Sequence, residues 1–249
     1  MRVPWRSSGW NEQAFLMQPR ERIALEPAFV LHHREYRDTS RILDVFTAKH
    51  GRLTLFARGA RGPKSKLASL LMPFRPLLVT WSGRGDAAQL TAAEPDGDAL
   101  TIPPRHVLSG FYLNELIINL TTRHDPQPQL FSDYDQALRR LATDAAPELA
   151  LRVFEKRLLE CIGYGLEFVV DAAGYYQFRP TQGLSQVRED APGAYSGRCL
   201  LALQTESLGD SETLDVARRV LRQVLDHCLE GRELRTRTVA RSMTRRGNA

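Results

Sequence analysis

The chain has 249 residues, of which 43% are hydrophobic and 25% are charged, which is the composition of a soluble globular protein with a packed core. No apolar run approaches the roughly 20 residues that a membrane-spanning helix needs, so the composition excludes a helical membrane protein. The formal net charge of +5 is a mild excess of base, and only its distribution along the chain can point to a polyanionic partner.

Residues 1–26 form a polar segment that precedes the first strand-like pattern. They lack the apolar core of a signal peptide, and Met17 could serve as an alternative start. We therefore predict a polar, disordered N-terminal tail, and we assign it no function.

Residues 27–100 carry the alternation of apolar and polar side chains that is typical of β-strands. Gly51 supplies the turn of a predicted hairpin, and Pro73 ends a short helical pattern. In chain order, the predicted elements are the strands AFVLHH, RILDVFT and RLTLFA, the helix SKLASLLM, and the strands PLLVTW and AAQLTAAE. This is the element order of an OB-fold, a small Greek-key barrel, although SH3-like barrels give similar patterns.

Residues 101–231 change to helical periodicity. Four helices are predicted, in the stretches HVLSGFYLNELIINL, QLFSDYDQALRRLA, PELALRVFEKRLLECIG and SETLDVARRVLRQVLDHCLEG. The last of them begins at Ser211 and ends at Gly231. Between the third and fourth helices, residues 164–205 are predicted to form a short extended insert.

The predicted fold class is α+β, with an N-terminal OB-fold β-barrel followed by a C-terminal α-helical domain. The barrel spans residues 27–100, and the helical domain with its insert spans residues 101–231. Residues 232–249 are arginine-rich, and we predict a frayed C-terminal tail.

Basic residues are concentrated in the predicted barrel. The 41 residues between Asp44 and Asp86 contain eight lysines and arginines and no acid. A positive field on such a barrel suits a phosphate backbone, because each neutralised phosphate releases counterions; a solvated basic surface is the simpler alternative. We predict DNA contacts from nine residues, namely Arg34, Arg37, Lys49, Arg52, Arg58, Arg61, Lys64, Lys66 and Arg75.

Several aromatic residues lie near these cations in the sequence. They are Tyr36, Phe46, Phe56, Phe74 and Trp81. A ring that faces outward could stack on a base, with a contribution of roughly 1–3 kcal/mol. Most aromatic side chains of a small barrel, however, belong to its core.

The stretch FARGARGPKSK, from Phe56 to Lys66, carries four cations, two glycines and a proline. It is not a P-loop, because Pro63 stands where that motif needs a glycine before its lysine. Its GARG segment matches the GXXG of a KH domain, but here it follows a strand instead of joining two helices. We interpret it as a flexible basic loop whose backbone amides can approach phosphate.

The sequence gives little support for catalysis or metal binding. It contains no H-E-x-x-H, no G-x-S-x-G and no dinucleotide fingerprint, so we predict no enzymatic activity and no cofactor. The three cysteines, Cys161, Cys199 and Cys228, are far apart and form no C-x-x-C pair. We therefore expect reduced thiols, no stoichiometric zinc and a cytoplasmic protein.

The chain resembles the RecO family of bacterial recombination mediators. The resemblance rests on the stretches VLHHREYRDTSRILDVFTAKHGRLTLFARGARGPKS, MPF, GFYLNELI and RVFEKRLLECIGYGLEF, and it fades towards the C-terminus. It implies an OB-fold followed by a helical domain. Some members carry a four-cysteine zinc site just after GYG, but the corresponding stretch LEFVVDAAGYYQFRP has no cysteine.

The resemblance also implies a function. Proteins of this family bind single- and double-stranded DNA, anneal complementary strands and act with RecR to load a RecA-type recombinase onto protein-coated single strands. They also bind the acidic, Phe-ending tail of the single-stranded-DNA-binding protein. We therefore expect these partners, a cytoplasmic, nucleoid-associated location and no membrane association.

The helix Glu148–Ile162 is the predicted site for that acidic tail, because cations stand beside apolar residues in it. Arg152, Lys156 and Leu159 are three to four positions apart and so share one side of the helix, whereas Arg157 is turned away. The predicted protein-binding residues are Arg152, Lys156, Arg157, Leu159 and Ile162. A solvated helix surface over core leucines is the simpler alternative for each of them.

Two other functions stay open at this point. An OB-type module could bind RNA, because a groove that follows the backbone separates DNA from RNA only weakly. The barrel could also be the non-catalytic clamp of a nuclease or ligase. A preference for structured RNA would favour the first alternative, and metal-dependent cleavage would favour the second.

Overall fold

The computed structural model describes residues 22–62, 65–83, 85, 88–143 and 146–247. The N-terminal part is a β-barrel with one short helix. Its elements are β1 (Arg22–Tyr36), β2 (Ser40–Thr47), β3 (Gly51–Ala57), α1 (Lys66–Leu70), β4 (Leu77–Ser82) and β5 (Gln89–Pro95). The order of three strands, a helix and two strands is the predicted one.

The first strand begins earlier than the sequence predicted. β1 starts at Arg22, inside the segment that we had assigned to a polar tail, because Arg22 pairs with Ser82 and Ile23 pairs with Trp81 of β4. Such long-range pairing leaves no local pattern in the sequence. The rest of the predicted tail, residues 1–21, lies outside the described residues.

The five strands close into a barrel in the order β1-β2-β3-β5-β4. The long strand β1 pairs with β2 through one half and with β4 through the other, and β3 meets β5 in parallel at Phe56 and Gln89. Alternate side chains, such as those of Leu43 and Leu55, point inward and are fully buried. The closed barrel confirms the predicted OB-like fold.

Gly51 at the start of β3 is required by both its conformation and its surroundings. Its φ of +65° lies in the left-handed region that favours glycine. A Cβ atom at this position would also come within 2.1 Å of the carbonyl oxygen of Asp125, which belongs to the helical part. The absence of a side chain at Gly51 therefore lets the β2–β3 turn pack closely against the backbone of Asp125.

The C-terminal part is helical and has one small sheet. A single 3₁₀ turn (Pro104–His106) leads into it. Its elements are α2 (Val107–Leu120), α3 (Pro128–Ala142), α4 (Pro147–Cys161), β6 (Tyr175–Arg179), β7 (Gly183–Val187), β8 (Tyr195–Ser196), α5 (Gly197–Gln204), α6 (Ser211–Cys228) and α7 (Arg235–Gly247). The four predicted helices are present as α2, α3, α4 and α6, and the extended insert is the sheet β7-β6-β8.

Two helices and one cap differ from the sequence interpretation. The segment Gly197–Gln204, expected to be extended, is helical, and the C-terminal tail that we expected to fray forms α7. Helix α6 is capped by Asp210 and not by Ser211, because the Asp210 carboxylate accepts the backbone N–H of Thr213 at 2.7 Å. Helix α7 is stabilised by a contact with α2 that is distant in sequence, so its own composition does not reveal it.

The barrel and the helices share one hydrophobic core. Phe29 of β1 and Phe46 of β2 point away from the barrel interior and pack on α3, where the ring of Phe29 meets Tyr134 edge-on at 5.1 Å between centroids. Phe131 packs on both phenylalanines with centroids 5.5 Å away. The outer surface of β1 and β2 is therefore an internal packing surface at this end.

A buried network of hydrogen bonds crosses the contact between the barrel and the helices. Asn114 of α2 donates its amide N–H to the carbonyl oxygen of Leu31 in β1 at 2.8 Å, and Tyr134 donates its hydroxyl to the amide oxygen of Asn114 at 2.6 Å. Burial raises the pKa of Tyr134, so its phenol keeps the proton that it donates. This network provides hydrogen-bond partners for polar groups that would otherwise be unpaired in the shared core.

We expect Asn114→Leu to destabilise the protein strongly. The substitution leaves the Leu31 carbonyl and the Tyr134 hydroxyl buried without partners, at a cost of about 1–3 kcal/mol each. Urea denaturation followed by far-ultraviolet circular dichroism measures the loss. Asn119→Leu on the same helix is the control, because the Asn119 amide N–H bonds only to a carbonyl of its own helix; equal stabilities of the two variants would contradict the role given to Asn114.

Candidate nucleic-acid interface

The outer surface of β1, β2 and β3 carries three rows of side chains. The strand register places Phe29, Phe46 and Arg52 in the first row, His32, Asp44 and Thr54 in the second row, and Arg34, Ile42 and Phe56 in the third row. The first row lies under α3. The third row is farthest from α3, and in it Arg34 is exposed, Phe56 is half-buried and Ile42 is buried.

Arg34 and Phe56 of the third row and their neighbour Tyr36 form a partly aromatic surface, which we call the platform (Arg34, Tyr36 and Phe56). The rings of Tyr36 and Phe56 meet edge-on with centroids 5.6 Å apart, and Tyr36 is 37% exposed. Arg34 is exposed beside them. An exposed ring next to a guanidinium is suited to stack a base while the cation meets the backbone.

Further cations surround the platform at the same end of the barrel. Arg37, in the turn between β1 and β2, lies over the Tyr36 ring with its guanidinium carbon 5.3 Å from the ring centroid. Arg58, just after β3, is exposed. Arg61 is partly neutralised, because its guanidinium is 2.7 Å from the carboxylate of Glu35 and donates to the carbonyl of Arg37. The basic loop is thus held against the β1–β2 turn.

The other predicted DNA contacts lie elsewhere. Lys49 is exposed but sits in the β2–β3 turn, at the opposite end of the hairpin from Arg37 and Arg58. Lys66 is exposed at the start of α1, and Arg75 donates to the carbonyl of Ser69 at 3.0 Å. Lys64 lies outside the described residues. The nine predicted cations therefore do not form one continuous site.

A DNA contact from Arg52 would require an exposed side chain. This prediction is wrong, because only 8% of the residue is accessible to solvent. Its guanidinium donates to the carbonyl oxygen of Thr121 at 2.8 Å and so joins β3 to the end of α2. Burial lowers the pKa of Arg52, and the positive charge of Arg123 lowers it further. Arg123 itself pairs with Asp44 at 3.0 Å, which makes the second row a contact between barrel and helices.

Helix α4 does not present the open cationic surface that the sequence predicted. Leu159 is fully buried, and Arg152 and Lys156 are 9% and 7% exposed. Their spacing of three to four positions correctly predicted that these residues share one side of the helix. That side faces the core of the helical part. Ile162, at the helix end, packs against the same core.

Lys156 and Arg157 are committed to acidic partners. The Lys156 ammonium lies 2.8 Å from Glu160 and 3.2 Å from Glu206, and the Arg157 guanidinium bonds to Glu206 at 2.7 Å and to Asp133 at 2.6 Å. Hydrogen bonds to Glu206 and Asp133 raise the pKa of Arg157 despite its partial burial. These ion pairs join α4 to α3 and to the end of α5.

Arg152 belongs to a different environment, a cavity of about 370 Å³ between the helices. We call it the arginine cavity. Five arginines line it together with one carboxylate and an apolar wall, namely Arg105, Arg152, Arg218, Arg222, Arg237, Glu155, Tyr112, Leu108 and Leu151. Its walls come from α2, α4, α6 and α7. Arg218 also pairs with Asp215 at 2.7 Å, and Arg222 and Arg237 pair with Asp226, so the cations are partly neutralised from outside the cavity. The lining itself still carries more guanidinium groups than carboxylates, which suits an anionic ligand with an apolar part.

Two polar atoms in the wall of the arginine cavity have no protein partner. They are Nε of Arg152 and Oε2 of Glu155, both buried. The remaining atoms of this pair are bonded, because Glu155 Oε1 accepts from Arg152 at 2.9 Å and from the Tyr112 hydroxyl at 2.7 Å. Nε of Arg152 and Oε2 of Glu155 have almost no accessible surface, so they lie behind the cavity wall and the bonded Arg152–Glu155 pair forms part of its support.

Sequence reasoning missed most residues of the arginine cavity. Arg105, Arg218, Arg222 and Arg237 come from three separate segments, and nothing in the sequence shows that they converge. The platform was partly detectable, because alternation along β1 puts Arg34 and Tyr36 on one side of the strand.

The described part of the chain shows neither a cluster of metal-ligating side chains nor a membrane-spanning helix. In the described part of the chain, no three histidine, cysteine or acidic side chains come together as metal ligands. No described helix is long and apolar enough to span a bilayer. The absence of stoichiometric zinc stays a prediction, to be measured by elemental analysis of the dialysed protein.

Two family descriptions match the chain: "Recombination protein O N terminal" over residues 22–96 and "Recombination protein O C terminal" over residues 105–238. The chain is 42% identical over 228 residues to the DNA repair protein RecO of Methylococcus capsulatus. The matched region covers 89% of this chain and 94% of that protein. It is 40% identical over 224 residues to the protein of the same name from Actinobacillus pleuropneumoniae (86% and 93% covered) and 39% identical over 240 residues to that from Azoarcus sp. (91% and 99% covered). The chain belongs to the RecO family.

Membership of the RecO family confirms the resemblance drawn from the sequence motifs. The N-terminal match begins at residue 22, where β1 begins, so the barrel of this RecO-family chain includes the start of that strand. The C-terminal match ends at residue 238, in the first turn of α7. Both the platform and the arginine cavity lie within the matched regions, except for the part of α7 that follows residue 238.

We expect Glu206→Gln to lower stability at neutral pH and to flatten its dependence on acid. The hydrogen bond from Arg157 is the main cause that lowers the pKa of Glu206 below the ordinary carboxyl value of 4.5. A lowered carboxyl pKa contributes stability above pH 4.5, and this stability is lost as the pH falls through the folded-state value.

Thermal melting of the native protein and of Glu206→Gln between neutral and acidic pH measures this effect. The two melting curves should differ at neutral pH and converge in acid. Glu167→Gln removes an exposed carboxylate and is the control. A melting-point difference that stays constant over the whole pH range would contradict the ion-pair interpretation.

Proposed function

We propose that this RecO-family chain is a DNA repair and recombination mediator that binds single- and double-stranded DNA and anneals complementary strands. In this proposal it acts with RecR in the bacterial cytoplasm, at the nucleoid, to load a RecA-type recombinase onto protein-coated single strands. The observation that carries the proposal is the platform, an uncovered part of the outer surface of a closed OB-like barrel. Its rings and cations combine the two kinds of contact that single-stranded nucleic acid makes.

The proposed binding energy comes from two sources with different signatures. Arg34 and Arg58 neutralise phosphates, which releases counterions and makes affinity fall steeply with salt. Tyr36 stacks on a base, which contributes roughly 1–3 kcal/mol with little dependence on salt or sequence. Neither source requires covalent chemistry, so the protein acts by holding polyanions together.

The arginine cavity supports the second part of the proposal, binding of the acidic tail of the single-stranded-DNA-binding protein. A peptide that ends in Phe needs an apolar wall for the ring, which Leu108 and Leu151 supply. Its carboxylates need cations, and the arginines that line the cavity supply them. In this proposal the tail lies beside Arg152, as the sequence suggested, and not beside Lys156 or Leu159, which do not line the cavity.

We expect Arg34→Ala with Arg58→Ala to weaken DNA binding about equally for all sequences. The slope of the logarithm of affinity against the logarithm of salt concentration should decrease by about 1.4, because each lost phosphate contact on a single strand contributes about 0.7. Tyr36→Leu should instead lower affinity with the slope unchanged. Fluorescence anisotropy with a labelled oligonucleotide over a range of salt measures both.

Lys49→Ala is the control for these variants, since Lys49 is exposed at the other end of the hairpin. It removes one charge and should leave the slope nearly unchanged. If Lys49→Ala lowers the slope by half as much as the double variant does, each removed charge has the same effect and the platform does not define the DNA site.

We expect Arg222→Gln to weaken binding of an acidic peptide that ends in Phe by about tenfold or more. Charge-assisted hydrogen bonds contribute roughly 1.5–3 kcal/mol, and Arg222 lines the arginine cavity. Binding of naked single-stranded DNA should stay nearly constant. Arg152 is unsuitable for this test, because removing one partner of a buried pair costs about 3–5 kcal/mol of stability.

Arg219→Gln is the matched control on the same helix. Its guanidinium lies over the Tyr195 ring, with 5.1 Å to the centroid, and it does not line the cavity. Anisotropy with the labelled peptide should show little change for this variant. Equal losses for Arg219→Gln and Arg222→Gln would show that the peptide responds to general charge and not to the cavity.

A further inference from the structure

Helix α7 is the most basic element of the described structure and plays no part in the platform. It contains five arginines and no acidic residue in 13 positions, RTRTVARSMTRRG. Such a helix is not stabilised by its own composition, because its like charges repel one another. Its position therefore depends on contacts made by its first turns.

The first turn of α7 is fixed by Glu115 of α2. The Glu115 carboxylate accepts the backbone N–H groups of Arg235 and Thr236 at 2.7 and 3.0 Å, and the Thr236 hydroxyl at 2.6 Å. An acidic side chain from another helix thus caps the N-terminus, where negative charge is favourable. Arg237 then pairs with Asp226 of α6 and lies over the ring of Tyr112.

The middle of α7 is exposed. Every residue from 238 to 243 is open to solvent, and the side chain of Arg241 is 57% exposed with a long contact of 3.4 Å to Glu233. Residues 245 and 246 are also arginines. Exposed apolar side chains in this part are confined to Val239, Ala240 and Met243, too few for a membrane-binding surface.

The first turn of α7 lies on the same side of the molecule as the platform. Arg235, Thr236 and Val239 line one wall of a groove whose other wall includes His32 and Asp44, the second row of the barrel surface. Tyr36 is four residues farther along β1 than His32, which corresponds to about 14 Å. The groove that the first turn of α7 borders therefore comes to within about 14 Å of Tyr36 along β1.

We propose that α7 is a second nucleic-acid-binding surface, which holds the phosphate backbone of a second strand while the platform holds the first. Guanidinium groups match phosphate geometry, and a helix that has arginines and no acid presents them without internal ion pairs along its length. This inference rests on the proposed function and assigns annealing to two surfaces. A single surface would bind one strand and would not bring a second strand beside it.

The test compares annealing with single-strand binding in the full-length protein. The variant Arg241→Gln, Arg245→Gln, Arg246→Gln keeps helix propensity, because glutamine is close to arginine in this respect. Annealing of two complementary labelled oligonucleotides should slow by about tenfold or more at physiological salt, and the salt slope of duplex binding should decrease by about 0.9 per lost contact. Affinity for a short single strand that fills only the platform should change less than about twofold.

Two matched variants make the result specific. The replacement of Arg179, Arg188 and Arg198 by glutamine removes the same charge from exposed positions around the small sheet and should anneal normally. The replacement of residues 241, 245 and 246 by lysine keeps the charge and should retain annealing to within about threefold. An equally large defect in either of these variants would overturn the inference.

The remaining outcomes separate this inference from the proposed function. If the native protein anneals DNA and the glutamine variant of α7 anneals equally fast, the second surface is wrong and the mediator function stands. If the glutamine variant loses short-strand binding as strongly as annealing, α7 and the platform act as one surface and the inference fails. If the native protein neither binds nor anneals DNA, both the proposed function and this inference fail.

Discussion

The contact between the barrel and the helices decides which parts of the molecule can bind a ligand. Helix α3 covers the first row of the outer surface of β1 and β2, where Phe29 and Phe46 lie. Asn114 bonds to the strand backbone within that contact. Because one half of this surface is used for internal packing, only the half that carries Tyr36 and Arg34 stays open. The position of the candidate DNA site thus follows from how the two parts pack.

The same packing divides the basic residues into two groups. Arg52, Lys156 and Arg157 bond to carbonyl or carboxylate groups of other elements and hold the two parts and the helices together. Arg34 and Arg58 remain at the exposed end of the barrel. The formal charge of +5 is therefore a poor guide to function, because many cations are neutralised inside the protein and the rest concentrate on particular surfaces.

Local sequence patterns predicted the elements but not their long-range contacts. Alternation and helical spacing identified five strands and the helices α2, α3, α4 and α6, because each has a strong period of its own. Helix α7 was missed, since its stability comes from Glu115, 120 residues away in the chain. The burial of Arg152 was missed for the same reason: helical spacing shows which residues share a side, but not what covers that side.

The arginine cavity illustrates how a site can arise from helix packing alone. Its four helical walls include α7, whose Arg237 and Thr236 line the cavity while residues 238–243 are exposed. Glu115 fixes the first turn of α7, so this carboxylate of α2 helps to position both the α7 wall of the cavity and the exposed Arg241. A ligand in the cavity and a polyanion on α7 would both contact the same helix. If binding of one changes the affinity for the other, the effect must be reciprocal in free energy. In the mediator that we propose, release of the acidic tail and capture of a second strand are then linked through the position of one helix.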